Sequence, residues 1–185
     1  MSDLEVFVRQ VQSRTREHRQ VISLLSSKSL SGQIISILRQ EIDSMIRVIY
    51  LLSLPLDRRD QLIAAAVNGE RWLREDLRTL VTEKEMVELA QRLTGWTFSV
   101  YKFGCAFIHL SAFHDYMNRD PLNHIAPNEL ADLVKHCRYY HGGPIAENPS
   151  FSDFVPFLPA VFEKIATNLE HYLEELREEK GLEHV

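Results

Sequence analysis

Apolar residues recur along this chain at helical intervals almost from end to end, and no segment alternates apolar and polar positions as a half-buried strand would. Phe7, Val11, His18, Val21, Ile22 and Leu25 share one face of a helix over residues 3–26, closed by the Ser/Gly-rich stretch 26–32. Ile34, Ile35, Leu38, Ile42, Met45, Ile46, Ile49 and Leu52 make a second, strongly apolar helix. It must stop before Pro55, which has no amide proton and disfavours helical geometry in the residue before it. A shorter helix follows Asp57 and ends near Asn68-Gly69, and residues 71–81 read as one more helical segment.

The most informative stretch is 83–118. Met86, Leu93, Val100, Phe107 and His114 recur at every seventh position, as do Leu89, Trp96, Phe103, Leu110 and Met117, and together they form a 3.5-residue seam. Phe98, Tyr101, Cys105, Ile108 and Ala112 lie on another face, so the pattern predicts one long helix covered by more than one neighbour. Thr82 with Glu85 three residues later is a capping-box start, and Pro121 marks the end. Gly95 and Gly104 each cost up to about 1 kcal/mol against Ala within a helix, which implies close approach of a neighbouring helix at both. Pro127 opens a further helix that stops at His141-Gly142-Gly143-Pro144, residues 147–152 form a loop, and the last helix covers about 159–180. The expectation is one all-α domain over residues 1–185: a bundle of about six to seven helices around a long central helix at about 83–118.

Composition changes this picture little. Hydrophobic residues make up 45% and charged residues 25%, ordinary values for a soluble globular chain, and the short apolar run 48–52 is far below a membrane span. Asp3, Glu5 and Arg9 stand where a signal peptide needs unbroken apolar sequence, so a cytoplasmic protein is expected. Cys105 and Cys137 form no C-x-x-C pair and read as buried thiols.

The net charge of −5 opposes non-specific binding of nucleic acid over the whole surface. Residues 9–20 nevertheless hold Arg9, Arg14, Arg16 and Arg19 against Glu17 alone, with His18 available to add to them. Such a segment is either a solvated helix face or a contact for RNA phosphates. Residues 163–185 are acidic, with seven Glu, and in an oligomer would suit the basic first helix of a neighbour.

The chemistry concentrates at Arg119-Asp120-Pro121-Leu122-Asn123-His124. A guanidinium can hold phosphate oxygens, and an imidazole, which ordinarily titrates near neutrality, can move a proton. RNA carries its own nucleophile in the 2′-OH, so this pair can suffice without a metal. The purely structural reading pairs Arg119 with a helix C-terminus and His124 with a loop carbonyl. His114 and Tyr116 stand close by as supporting candidates, and a seam histidine is also commonly a hydrogen-bonded core residue.

This motif, behind its apolar helix, resembles that of the HEPN superfamily, all-helical domains whose signature is Arg, then usually Asn, Asp or His, then a His after four to six intervening residues. The resemblance covers mainly residues 83–141. It implies a metal-independent endoribonuclease of toxin–antitoxin or phage-defence type, usually a homodimer in which two motifs face each other, with an RNA substrate and an antitoxin or other partner protein. In that scheme Arg119 polarises the phosphate, His124 transfers protons and Asp120 orients one of them. Many such proteins have lost catalysis, which leaves a non-catalytic dimerisation or partner-binding module as the alternative. No cofactor or metal is expected: His109 and His114 are about 140° apart on an ideal helix, and no Glu-x-x-His pair of the di-iron type occurs.

Overall fold

A computed structural model describes residues 1–182, and among them the chain is all-α. The helices are α1 (Asp3–Ser27), α2 (Ser31–Leu52), α3 (Leu56–Val67), α4 (Glu83–Thr94), α5 (Thr97–Ile108), α6 (Pro127–His141), the single turn α7 (Phe151–Phe154) and α8 (Leu158–Arg177), with short 3₁₀ turns at Ala112–Asp115, Pro121–His124 and Val155–Phe157. No helix among the described residues is long and apolar enough to cross a membrane.

The element at the centre is α2, not the 83–118 segment. Sixteen of its 22 residues are buried, because α8, α5, α4 and α1 all pack on it and leave it little solvent face. Ile42, Met45, Ile46 and Ile49 on α2 and Ile165 and Leu169 on α8 are among the fully enclosed residues. Burying an aliphatic side chain of this size contributes about 1.5–3 kcal/mol, so this helix pair supplies much of the drive to fold.

The expected long helix is broken at Gly95. That residue is left-handed, with φ +74°, and its N–H closes α4 on the Gln91 carbonyl at 2.8 Å. The Gln91 side chain bridges the break: its amide donates to the Gly95 carbonyl and its oxygen accepts from Phe98 N–H, both at 2.8 Å. Gly95 is therefore a helix terminator, and a Cβ there would meet nothing within 4 Å. Gly104 does mark a close approach, since a Cβ would fall 2.6 Å from Cβ of Arg39 on α2. A second break follows α5, where the Ser111 hydroxyl donates to the Ala106 carbonyl at 2.7 Å and accepts from Phe113 N–H at 3.2 Å. A seven-residue apolar rhythm continues across both breaks, which is why the sequence reads as one helix. Leu110 and Met117, assigned to the seam, instead stand in solvent at 95% and 78% exposure.

Residues 71–81 are also not helical. Trp72 is buried against Tyr50, an isolated antiparallel bridge joins Leu73 to Leu80, and Asp76 caps the turn between them by accepting from the backbone N–H groups of Arg78 and Thr79, each at 2.9 Å. The Asp-x-x-Thr side-chain contact competes with helix here, as short polar side chains do.

Candidate functional site

The expected site falls in the connection between α5 and α6. Asp115 ends a 3₁₀ turn, and Asp120 begins the next as its cap: Oδ1 accepts from Leu122 N–H at 2.8 Å. The other carboxylate oxygen, Oδ2, accepts from Phe151 N–H at the start of α7, at 3.0 Å. Both oxygens of Asp120 are thus engaged in holding two backbone segments together, and it orients neither Arg119 nor His124. Pro121, buried behind it, fixes the turn from the other side.

Arg119 projects into solvent at 78% exposure, and its described partner is Asp115, 3.5 Å away. His124 is also exposed, but it leans on the Phe113 ring at 6.1 Å and lines a cleft of about 190 Å³ between α5 and α6. Lys102, paired with Glu129 at 2.6 Å, lines the same cleft beside Asn128 and Asp132. Arg119 is not among its lining residues. Within one chain no described hydrogen bond, ion pair or cleft joins the two side chains, and the turn between them is capped by Asp120.

His114 is exposed and Tyr116 half-buried, and both touch the aromatic cluster beside the connection. His114 accepts from Ser111 N–H at 3.3 Å and sits beside Phe107, while the Tyr116 ring packs against Phe107 and Phe151.

The basic stretch of α1 is largely committed within the molecule. Arg19 grips Glu163 of α8 with Nε at 2.9 Å and Nη2 at 3.0 Å, and reaches Glu170 at 3.4 Å. The acidic segment that suited a neighbour's first helix thus meets the first helix of its own chain; its last three residues lie outside those described. Arg9 donates to the Met1 sulfur and Arg16 to the Ser13 hydroxyl, while Arg14 turns inward to Ser44 and Gln40. His18 also turns inward. Its Nδ1 lies 2.6 Å from Glu41, a residue with no exposure, which accepts in addition from the Thr15 hydroxyl at 2.6 Å. One signal of this was present in the sequence: Glu41 interrupts the stripe Ile34, Leu38, Met45, Val48, Leu52 on the most apolar helix of the chain.

A second polar constellation went unread. Arg39, Asp43 and Arg47 lie at successive four-residue steps on α2, and opposite them Tyr101 and Cys105 lie on α5, followed by His109 just beyond its end. The side chain of Arg39, only 7% exposed, donates to Glu83 at 2.6 Å and to the Cys105 sulfur at 3.2 Å, and lies 4.0 Å over the Tyr101 ring. Burial works against the charged guanidinium, but Cys105, Tyr101 and Glu83 outweigh it and hold its pKa above the ordinary value. Burial raises the Glu83 carboxyl, yet the Tyr101 hydroxyl, donating at 2.7 Å, and Arg39 bring it below the usual range. Tyr101 is pushed up by burial and by that same carboxylate. No group of three or more His, Cys, Asp or Glu side chains suited to a metal ion occurs among the described residues.

Comparison with protein-family models, with curated proteins and with solved structures found no match to this chain.

Proposed function

We propose that the α5–α6 connection is the working face of a HEPN-like protein, and that it acts in a homodimer as a metal-independent endoribonuclease. The observation that carries this reading is the contrast within the motif: Asp120 locks the turn from both sides, while Arg119 and His124 on either side of it remain exposed. A capped turn whose exposed guanidinium and imidazole share no described contact within one chain suits a site completed by a second copy. Arg119 of one chain would then meet His124 of the other.

In that arrangement His124 takes the proton from a ribose 2′-OH, the oxygen attacks the adjacent phosphorus, and the bond to the 5′-oxygen breaks as the imidazolium so formed returns its proton to that leaving oxygen. Arg119 stabilises the negative charge that gathers on the phosphate oxygens, the step at which preorganised cations contribute most. The products are a 2′,3′-cyclic phosphate and a 5′-hydroxyl.

A second reading is supported by the engagement of both Asp120 oxygens and by the exposed apolar side chains of Leu110 and Met117: a dimerisation or partner-binding module without catalysis. One experiment separates them. The purified protein is incubated with mixed RNA in EDTA beside Arg119→Ala and His124→Ala, and the new ends are analysed. Cyclic-phosphate ends made by the wild type and lost by about a hundredfold or more in both variants support the nuclease. Folded wild-type protein that leaves RNA intact in EDTA moves the weight to the module.

A further inference from the structure

A pocket walled mainly by carbon opens between α5, α6 and α8, with Val100 and Phe103 of α5, Leu133 of α6 and Leu158 of α8 among its lining residues. The enclosed space is about 60 Å³, room for a few carbon atoms and not for a nucleobase with its sugar. Apolar walls with a few convergent polar groups are the usual make-up of a small-ligand site.

The groups in this pocket that can carry charge near neutral pH are all basic. Lys164 of α8 and His136 and His141 of α6 line it, and no Asp or Glu among the described residues does. Lys164 is held in place without an acceptor. Its ammonium stands 4.0 Å from the Tyr140 ring centroid and 5.3 Å from that of Trp96, and it has no described hydrogen bond or ion pair. Cation–π contacts orient an ammonium and leave its N–H donors for an oxygen. His136 turns Nδ1 to the Ser99 hydroxyl at 3.1 Å, which leaves Nε2 without a described partner, and His141 makes no described hydrogen bond.

Burial holds Lys164, His136 and His141 below their ordinary pKa values, and Lys164 adds to the effect at His141. Just above neutrality the imidazoles are therefore uncharged, and the pocket offers one full positive charge. A singly charged carboxylate matches one ammonium beside two neutral imidazoles. Phosphate is better met by paired guanidinium groups, and no arginine lines this pocket.

We propose that the pocket binds a small apolar carboxylate, its short aliphatic tail among the side chains of α5, α6 and α8 and its carboxylate on the Lys164 ammonium. The site does not depend on the reading of the α5–α6 connection, since it uses none of Arg119, Asp120 or His124.

The test is an NMR titration of the full chain with hexanoate, hexanol, hexylamine and inorganic phosphate. It is read at the two indole N–H groups of the chain: Trp96 lines the pocket, whereas Trp72 packs on Tyr50 and does not. Hexanoate should shift Trp96 saturably with a Kd of about 1 mM or below, while hexylamine and phosphate bind more weakly by about tenfold or more and Trp72 keeps its position. Lys164 is half-buried, and Lys164→Met keeps its apolar stem while removing the charge. That variant should lose about tenfold in hexanoate affinity at unchanged melting temperature and bind hexanol as the wild type does. The ligand series in the wild type decides the matter by itself if the variant is unstable. No saturable shift of Trp96 by about 20 mM hexanoate, hexylamine or phosphate bound as tightly as hexanoate, or a hexanoate affinity that folded Lys164→Met retains in full, overturns the proposal.

Discussion

At the residue scale, burial separates two chemically identical thiols. Cys137 lies on the buried face of α6, and burial pushes its pKa up to about 11, so at pH 8 only about one molecule in a thousand carries the thiolate there. Cys105 is only partly covered and lines a cleft with Arg14, Arg39 and Arg47. Alkylation of the native protein at pH 8, followed by mass spectrometry, should therefore modify Cys105 first and leave Cys137 until the chain is unfolded; equal rates at the two would contradict the packing of α6. Both cysteines read as buried core thiols from the sequence, because helical spacing identifies a face and not the depth to which it is covered. His18 illustrates the converse. It falls on the apolar face of the first helix and also beside the arginine cluster, and its partner is the buried Glu41, 23 positions away, a pairing that no local pattern encodes.

At the element scale, helix boundaries were legible where a capping box, a proline or a Ser/Gly or Asn-Gly break marks them, and not inside the 83–118 segment, where α4 ends and α5 begins. Thr82 and Glu85 form the expected capping box, and Pro127 opens and Gly142 closes α6 as expected, whereas Pro121 ends no helix and opens a 3₁₀ turn. Gly95 was misread because a glycine signals either a close approach or a left-handed terminator, and only the backbone angle decides. The two glycines now make opposite demands. Gly104→Ala places a methyl group against the α2 backbone at Arg39, and the cost should be about 2 kcal/mol or more in urea unfolding, with α5 displaced from α2. Gly95→Ala meets no atom and costs only the left-handed strain, about 1 kcal/mol. The 71–81 turn carries a pH signature. Hydrogen bonds from the Thr79 side chain and from the Thr79 and Arg78 amides hold the Asp76 carboxyl at about 2, below its ordinary 3.8. A lowered folded pKa means that its stabilising contribution is complete above about pH 4 and disappears as pH falls towards 2. The stability difference between wild type and Asp76→Ala should shrink across that window, and a difference that stays constant would show that the cap is not formed.

At the scale of the whole molecule, the fold class was legible because period-3.6 patterning survives any rearrangement of helices, whereas the identity of the central helix was not. The 83–118 segment is apolar on more than one side because α4 and α5 cover α2 while α5 also packs against α6, and beyond α5 part of the chain forms an exposed rim. Leu110 and Met117 belong to that rim, at 95% and 78% exposure, flanking the chain that carries Arg119. Isolated exposed apolar residues are ordinary, but these two lie on the connection that carries Arg119 and His124, so the dimer reading makes a specific demand on them. Light scattering should give twice the 21.5 kDa of one chain, and Leu110→Asp with Met117→Asp should return it to the single-chain mass. An interface with this apolar centre should also hold as salt rises, because screening weakens exposed charge pairs such as Arg119–Asp115 and leaves hydrophobic burial intact. Loss of RNA cleavage together with the dimer, while Arg119 and His124 remain unchanged, would place the reaction between two chains; cleavage by a monomeric double variant would return it to one.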